Sequence, residues 1–278
     1  AGDRMTSFTV DGPVRLRIAV PAGRVEVEQG DVGGVEVELT PLRQDDATLA
    51  ALADARVEAV ERGGGHEIRV DVPRRQGGLL SLGRQPKIGA RITCPAGADV
   101  DVDSSSADVD LRADCGVVGV KTASGDVTAA RVAALSVTSA SGDVSVGTVE
   151  GDLSVKTASG DVDAGRIGGT AAVHSVSGDV HLGHVVGLCT VGTVSGDAEI
   201  DALGSGGLRA NAVSGDVRVA VQHGMRLWID AQSVSGSMRS DLDFGDAHAV
   251  GATSPAGEGD VVELRIRTVS GDVHIRRA

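Results

Sequence analysis

The chain has 278 residues, of which 41% are hydrophobic, and a formal net charge of −13 from 26 Lys and Arg against 39 Asp and Glu. This acidic balance, with only three aromatic residues (Phe8, Trp228 and Phe244), excludes a typical nucleic-acid-binding protein, which needs basic surfaces and aromatic platforms for bases. The apolar fraction argues against disorder, and 40 glycines with a β-branched bias favour strands joined by tight turns.

The first hundred residues predict short strands. Apolar residues alternate with polar ones at 14–20, 25–29 and 35–39, with Pro-Ala-Gly and Gly-Asp-Val-Gly-Gly between them as turns. Further strands are predicted at 66–72 and 87–93. The phrase VPAGRVEVE at Val20 recurs as CPAGADVDV at Cys94.

One helix is predicted at Asp45–Glu61. Acidic residues begin it, an apolar stripe (Leu49, Leu52, Ala53, Val57 and Val60) follows, and Gly63-Gly64-Gly65 ends it. We expect this helix to cap the first coil, because an uncovered coil offers a sheet edge for aggregation.

The segment Pro73–Lys87 is basic in an otherwise acidic chain. It carries four cations (Arg74, Arg75, Arg84 and Lys87), no acidic residue, and an apolar tip (Leu79, Leu80 and Leu82). One hypothesis is contact with an anionic membrane surface or a protein partner. We favour the alternative, in which the leucines fold back over the helix or an end of the solenoid.

The rest of the chain is a repeat. Ser-Gly-Asp-Val begins at Ser124, Ser141, Ser159, Ser177, Ser214 and Ser270, with variants at Ser106, Ser195 and Ser235, and the spacing from Ser106 to Ser214 is 17 to 19 residues. Apolar residues recur six and four residues before each serine and three, five and eight after it. Within each arm this is strand alternation, so each repeat predicts a strand, an SGD turn, a strand and a glycine-rich turn. Stacking such coils gives an all-β single-chain β-solenoid with about 18 residues per coil.

Two other classes of β-solenoid also have about 18 residues per coil. Left-handed hexapeptide solenoids need an aliphatic residue every six positions, and stepping six from Val149 through Val155 reaches Asp161. Calcium-binding nonapeptide rolls carry ligands at both ends of each half-coil, whereas here Asp recurs at one turn only. Calcium stays open as the less favoured alternative.

The TASGDV, SVSGDV and TVSGDV coils, the preceding CPAGADVDV segment and the final RTVSGDVHIRRA resemble the bacterial putative-adhesin family, a domain of unknown function. The resemblance covers about 92–278 well and implies a β-solenoid. It carries over no active-site residues. We therefore predict a strand-rich region at 1–93 with the capping helix, continuous with an SGDV-repeat solenoid at 94–278.

The aspartate column is the most conspicuous constellation. The column consists of Asp126, Asp143, Asp161, Asp179, Asp197, Asp216 and, out of step, Asp272. Ser124 and Gly125 complete its first turn. We predict a structural role, in which each carboxylate accepts backbone N–H bonds inside its own turn while Gly supplies a positive φ. A glycosidase needs two carboxylates in different environments, which a uniform column does not offer.

The other polar columns predict no catalytic or metal site. The repeat serines have no regularly placed His for a triad. The Thr/Ser column two residues earlier predicts a hydroxyl ladder. We expect His174, His181 and His184, which share one coil, to be solvated surface residues without a carboxylate in register, although a transition metal could bind there adventitiously. Three scattered cysteines predict neither a disulfide framework nor zinc.

The function predicted is a non-enzymatic scaffold or adhesin-like interaction module without cofactor or small-molecule substrate, acting on a protein partner or on itself. The alternative is a polysaccharide-acting β-helix enzyme, which the shortage of aromatic residues disfavours. We expect a cytoplasmic location if Met5 is the natural start, and the cell envelope or surface if a signal or anchor has been trimmed.

Overall fold

The computed structural model describes residues 3–31, 33–74, 85–242 and 261–278. They form a β-solenoid with one helix among the described residues, and the chain divides into two compact units, Ala1–Gly147 and Thr148–Ala278. In the described ranges, no helix has the length and hydropathy needed to cross a membrane.

The first unit combines parallel and antiparallel strands. Its elements are β1 (Arg4–Thr9), β2 (Val14–Gln29), β3 (Gly34–Pro41), α1 (Asp46–Asp54), β4 (Arg56–Arg62), β5 (Gly65–Asp71), β6 (Ile88–Cys94), β7 (Ala98–Lys121) and β8 (Val127–Thr138), and β9 (Val144–Val149) contains the unit boundary. Strand β2 pairs in parallel with β5, β6 and β7, and β7 pairs with β8. The pairs β1–β3, β3–β6 and β4–β5 are antiparallel.

The turn predicted at Pro21-Ala22-Gly23 is wrong. Strand β2 runs without interruption through these residues, although Gly23 has a φ of 129°. A Cβ on Gly23 would lie 2.0 Å from the Ile88 carbonyl oxygen, so the glycine lets β6 approach closely. The same three letters at 95–97 do form a turn, between β6 and β7. Local sequence alone therefore does not separate a corner within a strand from a turn between two strands.

The predicted helix is half right. It begins after Asp45, whose carboxylate accepts the Thr48 N–H at 2.7 Å as an N-cap, but it ends at Asp54. Residues 56–62 instead form β4, which pairs antiparallel with β5 through a two-residue turn, Gly63-Gly64, with φ of 59° and 83°. Two consecutive positive φ values suit a hairpin turn, and this explains why these glycines join strands rather than end a helix.

The second unit repeats one coil. The strands before each SGD turn, here called first-arm strands, are β10 (Leu153–Ser159), β12 (Ala171–Ser177), β14 (Cys189–Ser195), β16 (Leu208–Ser214), β18 (Arg226–Ser233) and β20 (Val261–Ser270). The second-arm strands are β11 (Val162–Ile167), β13 (Val180–Val185), β15 (Ala198–Leu203), β17 (Val217–Val221), β19 (Met238–Ser240) and β21 (Val273–Arg277). Parallel pairing brings Ser159, Ser177, Ser195, Ser214 and Ser270 into one row, which confirms the predicted solenoid register.

The last two coils do not stack in chain order. Strand β20 lies between β16 and β18, with Leu264 opposite both Leu208 and Ile229. Strand β21 similarly lies between β17 and β19. The final coil of the sequence is therefore the fifth in the stack of the second unit, which is why Asp272 is out of step along the chain.

The apolar columns form the core of both arms. In the second unit, Leu153, Val155, Leu182 and Ile200 are among the side chains with at most 1% of their surface exposed. The three cysteines are free and buried, and burial raises the pKa of the Cys189 thiol to about 12. A thiol in this environment acts as a small apolar side chain.

Candidate functional site

In most of the SGD turns, glycine is required for two reasons. Gly125, Gly160, Gly178 and Gly196 have φ between 134° and 148°, a region that L-residues avoid. In addition, a Cβ on Gly178 would lie 2.2 Å from the Gly160 carbonyl oxygen of the preceding coil. The turns therefore stack backbone on backbone, with no room for a side chain.

The aspartates form a ladder between coils. In the first unit, Asp108 Oδ1 accepts the N–H of Asp126, and Asp126 Oδ1 accepts the N–H of Asp143. In the second unit each Asp Oδ1 again accepts the N–H of the Asp in the next coil of the stack, at 2.8–2.9 Å, through Asp161, Asp179, Asp197, Asp216 and Asp272. The carboxylates thus bridge turns, rather than closing their own turn as expected from the sequence.

The ladder explains why a column of like charges is tolerated. A backbone N–H bonded to a carboxylate favours its ionised form, and this bond from Asp216, together with Arg218, lowers the pKa of Asp197. Arg218 also bridges Asp197 and Asp216, at 2.9 and 2.8 Å. At the far end, Asp272 accepts the N–H of Ser237, which occupies the Asp position of the variant turn SGSM. Ser237 has no carboxylate with which to continue the ladder.

A second interstrand carboxylate bond lies at the opposite turn and was not anticipated. Asp152 Oδ1 accepts both the N–H and the hydroxyl of Thr170 in the next coil, each at 2.8 Å. In the first unit, Asp99 similarly accepts the N–H of Val117 at 2.9 Å. Both bonds join residues 18 apart, so the repeat period is the signal that could have identified them.

The Thr/Ser column lies inside the coil and is not uniform. Ser139 and Thr157 donate their hydroxyls to the carbonyl of the repeat serine two residues later, at 3.0 and 3.1 Å. The hydroxyls of Thr122, Ser175, Thr193 and Thr268 are buried without a hydrogen-bond partner among the described residues. Only part of the column therefore matches the predicted hydroxyl ladder.

Contrary to the sequence expectation, carboxylates flank His181. Asp163 contacts its Nδ1 at 2.8 Å and Asp201 contacts its Nε2 at 2.9 Å. Both ring nitrogens then need a proton, and these hydrogen bonds raise the pKa of His181. The two carboxylates occupy both nitrogens, which suits charge pairing rather than metal ligation. Across the described part of the chain, no three His, Cys, Asp or Glu side chains are grouped as metal ligands.

The basic segment can be followed only at its ends. Arg75, Leu79, Leu80, Leu82 and Arg84 lie outside the described residues. Arg74 forms an ion pair with Asp103. The Lys87 backbone donates to Thr48 Oγ1 on α1 at 3.3 Å. The two proposed roles of the leucines stay predictions.

A groove of about 580 Å³ lies on the outward face of the first unit. Acidic side chains (Asp71, Asp101 and Asp103) and basic ones (Arg17, Arg69 and Lys121) line it together. The Asp103 carboxylate is already paired with Arg74. This mixed-charge groove contains no aromatic residue that could stack on a sugar.

These features define a class of protein, a β-solenoid whose turns are joined by a carboxylate ladder. The chain belongs to the Toastrack family, DUF4097, whose model matches residues 31–276. No curated protein matches it. It resembles the crystal structure of a putative adhesin from Bacteroides fragilis, with 13% identity, a TM-score of 0.49 and coverage of 99% of this chain and 97% of the other. For a putative adhesin from Parabacteroides distasonis, the identity is 12%, the TM-score is 0.35, and the match covers 98% of this chain and 96% of the other. For a putative lipid binding protein from Parabacteroides distasonis, the identity is 9%, the TM-score is 0.36, and the match again covers 98% of this chain and 96% of the other.

Proposed function

We propose that this Toastrack chain is a non-enzymatic scaffold, an adhesin-like module that presents varied side chains on a constant frame. The observation that supports this proposal is that the inward positions of the coil are nearly constant and the outward positions vary. Inward columns and SGD turns repeat almost unchanged, whereas the outward position three residues before the repeat serine changes from Lys156 to His174, Gly192 and Asn211 in successive coils. A frame with variable outward residues suits recognition along a face.

The polar groups also support this proposal over catalysis. The aspartate ladder is engaged with backbone N–H groups, and His181 is held between two carboxylates. A hydrolase of polysaccharides needs an acid and a second carboxylate in contrasting environments around a cleft. The ladder gives its carboxylates similar environments.

The test compares binding with turnover. Purified protein is incubated with a panel of bacterial polysaccharides, and released reducing ends are measured beside an Asp71→Asn, Asp101→Asn variant of the groove. We expect no release above buffer from either protein. Release by the wild type that the variant loses would contradict the scaffold and restore the enzyme alternative. In parallel, a photo-cross-linking residue at the exposed position of Asn211 should yield adducts in bacterial cells, and their masses should distinguish a lipid partner from a protein partner.

A further inference from the structure

An exposed column of valines follows the first-arm strands of the second unit. Five valines each lie one residue before a repeat serine: Val176, Val194, Val213, Val269 and, on the coil that ends the stack, Val234. Parallel register places the first four in one row, and the Val234 N–H bonds to the Thr268 carbonyl beside them. The row would span about 19 Å at a strand spacing of about 4.8 Å.

The valines are exposed by 46–82% and make up half of the ten large hydrophobic residues exposed in the described ranges. The turn itself does not require them, because alanine occupies the same position at Ala123, Ala140 and Ala158. An apolar row that the fold does not need is typical of an interaction surface.

The same side of the strands is basic, although the chain carries a charge of −13. We call this side the valine face and define it by the outward residues one, three and five positions before the repeat serine on β10, β12, β14, β16, β18 and β20. It holds Lys156, Arg209, Arg265 and Arg267 against Asp230, and Arg265 pairs with Glu263, which precedes it by two residues on the same side of β20. Within the described chain, Lys156, Arg209 and Arg267 have no ion-pair partner, so their charges are available to a ligand.

The only tryptophan of the chain borders this face. Trp228 alternates outward with Asp230 on β18, and the Arg265 guanidinium lies 5.6 Å from the centre of its ring. Tryptophan and arginine together are typical of protein segments at the boundary between lipid headgroups and acyl chains.

We propose that the valine face binds the surface of an anionic lipid bilayer. The proposal rests on the interaction-module function and gives it a partner class. Lys156, Arg209 and Arg267 supply the charge complementarity, and the valines supply a shallow apolar contact. A protein partner fits less well, because binding hot spots need pockets for anchoring side chains and a uniform row of valines offers none. The ladder carboxylates lie in the SGD turn, two residues after the repeat serine, and are bonded to N–H groups.

Flotation with vesicles tests the proposal. Vesicles of equal parts phosphatidylglycerol and phosphatidylcholine should carry the wild type at low salt and release it at about 0.5 M salt, where charges are screened within a few Å. Binding should shift the emission of Trp228 to shorter wavelength. Arg209→Gln with Arg267→Gln should weaken binding roughly 25-fold, since two cations are lost. Val176→Ser, Val194→Ser and Val213→Ser together should also weaken it, without changing the melting temperature by more than a few degrees.

The matched control is Val117→Ser, an exposed valine of the first unit, which should bind like the wild type. Failure of the folded wild type to float, equal binding to pure phosphatidylcholine, or loss only in a Leu79→Ser, Leu80→Ser, Leu82→Ser variant would each overturn the valine face. Retention on immobilised polyglutamate without flotation would replace lipid by an acidic protein and leave the scaffold standing. Polysaccharide hydrolysis would refute the scaffold whatever the vesicles show.

Discussion

The two units share the stacked SGD turns and the aspartate ladder, but they differ in how much their outward side chains contribute to holding the strands together. In the first unit, outward side chains form ion pairs: Glu67, only 4% exposed, lies among Arg17, Arg62 and Arg69, and Arg91 pairs with Glu26 at 3.0 Å. In the second unit, backbone groups carry more of this work through stacked glycines and the aspartate ladder. A strict period thus lets one short turn motif replace many individual side-chain pairs.

The largest expected effect is on the periodic core. Val155→Asp in the second unit should unfold several coils, because it places a charge without a partner at a position that is 0% exposed. Lys156→Asp, one residue away on the outward side, should change stability by no more than about 0.5 kcal/mol. The melting temperatures of the two variants, measured by circular dichroism during heating, test this difference. Similar melting temperatures for the two variants would contradict the inward and outward assignment.

Glycine-to-alanine substitutions, one in each unit, test the difference between the units directly. Gly178→Ala should cost at least about 2 kcal/mol, since it combines a forbidden φ of 136° with a clash against the Gly160 backbone. Gly97→Ala in the first unit has a φ of 80° and free space around the new Cβ, so only the conformational cost of about 1 kcal/mol remains. The midpoints of urea unfolding measure the loss of stability in both variants. If Gly97→Ala proves the more destabilising, close stacking of the SGD turns is not what selects glycine.

The second unit, which repeats one coil, was also easier to predict from the sequence than the first unit. Its repeat serines share a row in the structure, because a column of apolar residues two apart allows one register only. The insertion of β20 between β16 and β18 was not predicted, since no spacing along the chain encodes stacking order. In the first unit, Val57 and Val60 fit a helical stripe as well as the hairpin strand they form. Short apolar segments of this kind are decided by tertiary pairing.

The candidate site was predictable in its residues but not in its bonds. The aspartate column stood out by composition, and the positive φ that most SGD glycines adopt followed from the turn. Whether a carboxylate bonds within its own turn or to the next coil depends on a side-chain rotamer, which the sequence does not show. The Asp163–His181 contact, by contrast, joins residues 18 apart, so the period could have predicted it, and the expectation of no carboxylate in register with His181 was wrong.

The ladder should make the second unit sensitive to acid. The folded pKa of Asp197 lies below its ordinary value of 3.8, so its stabilisation is present above about pH 4 and is lost as the pH falls through the folded value. Asp197→Ala should cost about 1–2 kcal/mol at neutral pH and remove part of the acid dependence, because the Asp216 N–H and Arg218 lose an acceptor. The control is the exchange Asp197→Asn, which keeps Oδ1. A flat difference between wild type and Asp197→Ala from pH 7 to pH 2 would exclude the proposed linkage.

A smaller effect concerns the buried hydroxyls. Thr157 donates to the Ser159 carbonyl, whereas Thr193, two coils further on, has no partner among the described residues. Thr157→Val should therefore cost about 1 kcal/mol, and Thr193→Val should be neutral or stabilising by a similar amount. Differential scanning calorimetry of the two variants measures the contrast. Equal costs would mean that the hydroxyl column acts as one ladder after all.

The smallest effect expected is that of calcium. If the ladder carboxylates served as cation ligands, millimolar calcium would stabilise the folded state and a chelator would remove that stabilisation. Their Oδ1 atoms instead accept backbone N–H groups at 2.8–2.9 Å in the second unit, so a cation would have to compete with bonds already formed. The melting temperature should hence stay within about a degree with either addition. A rise of several degrees with calcium, absent in Asp179→Asn with Asp197→Asn, would turn the ladder from a backbone brace into a cation site and bring the second unit closer to the calcium-binding rolls.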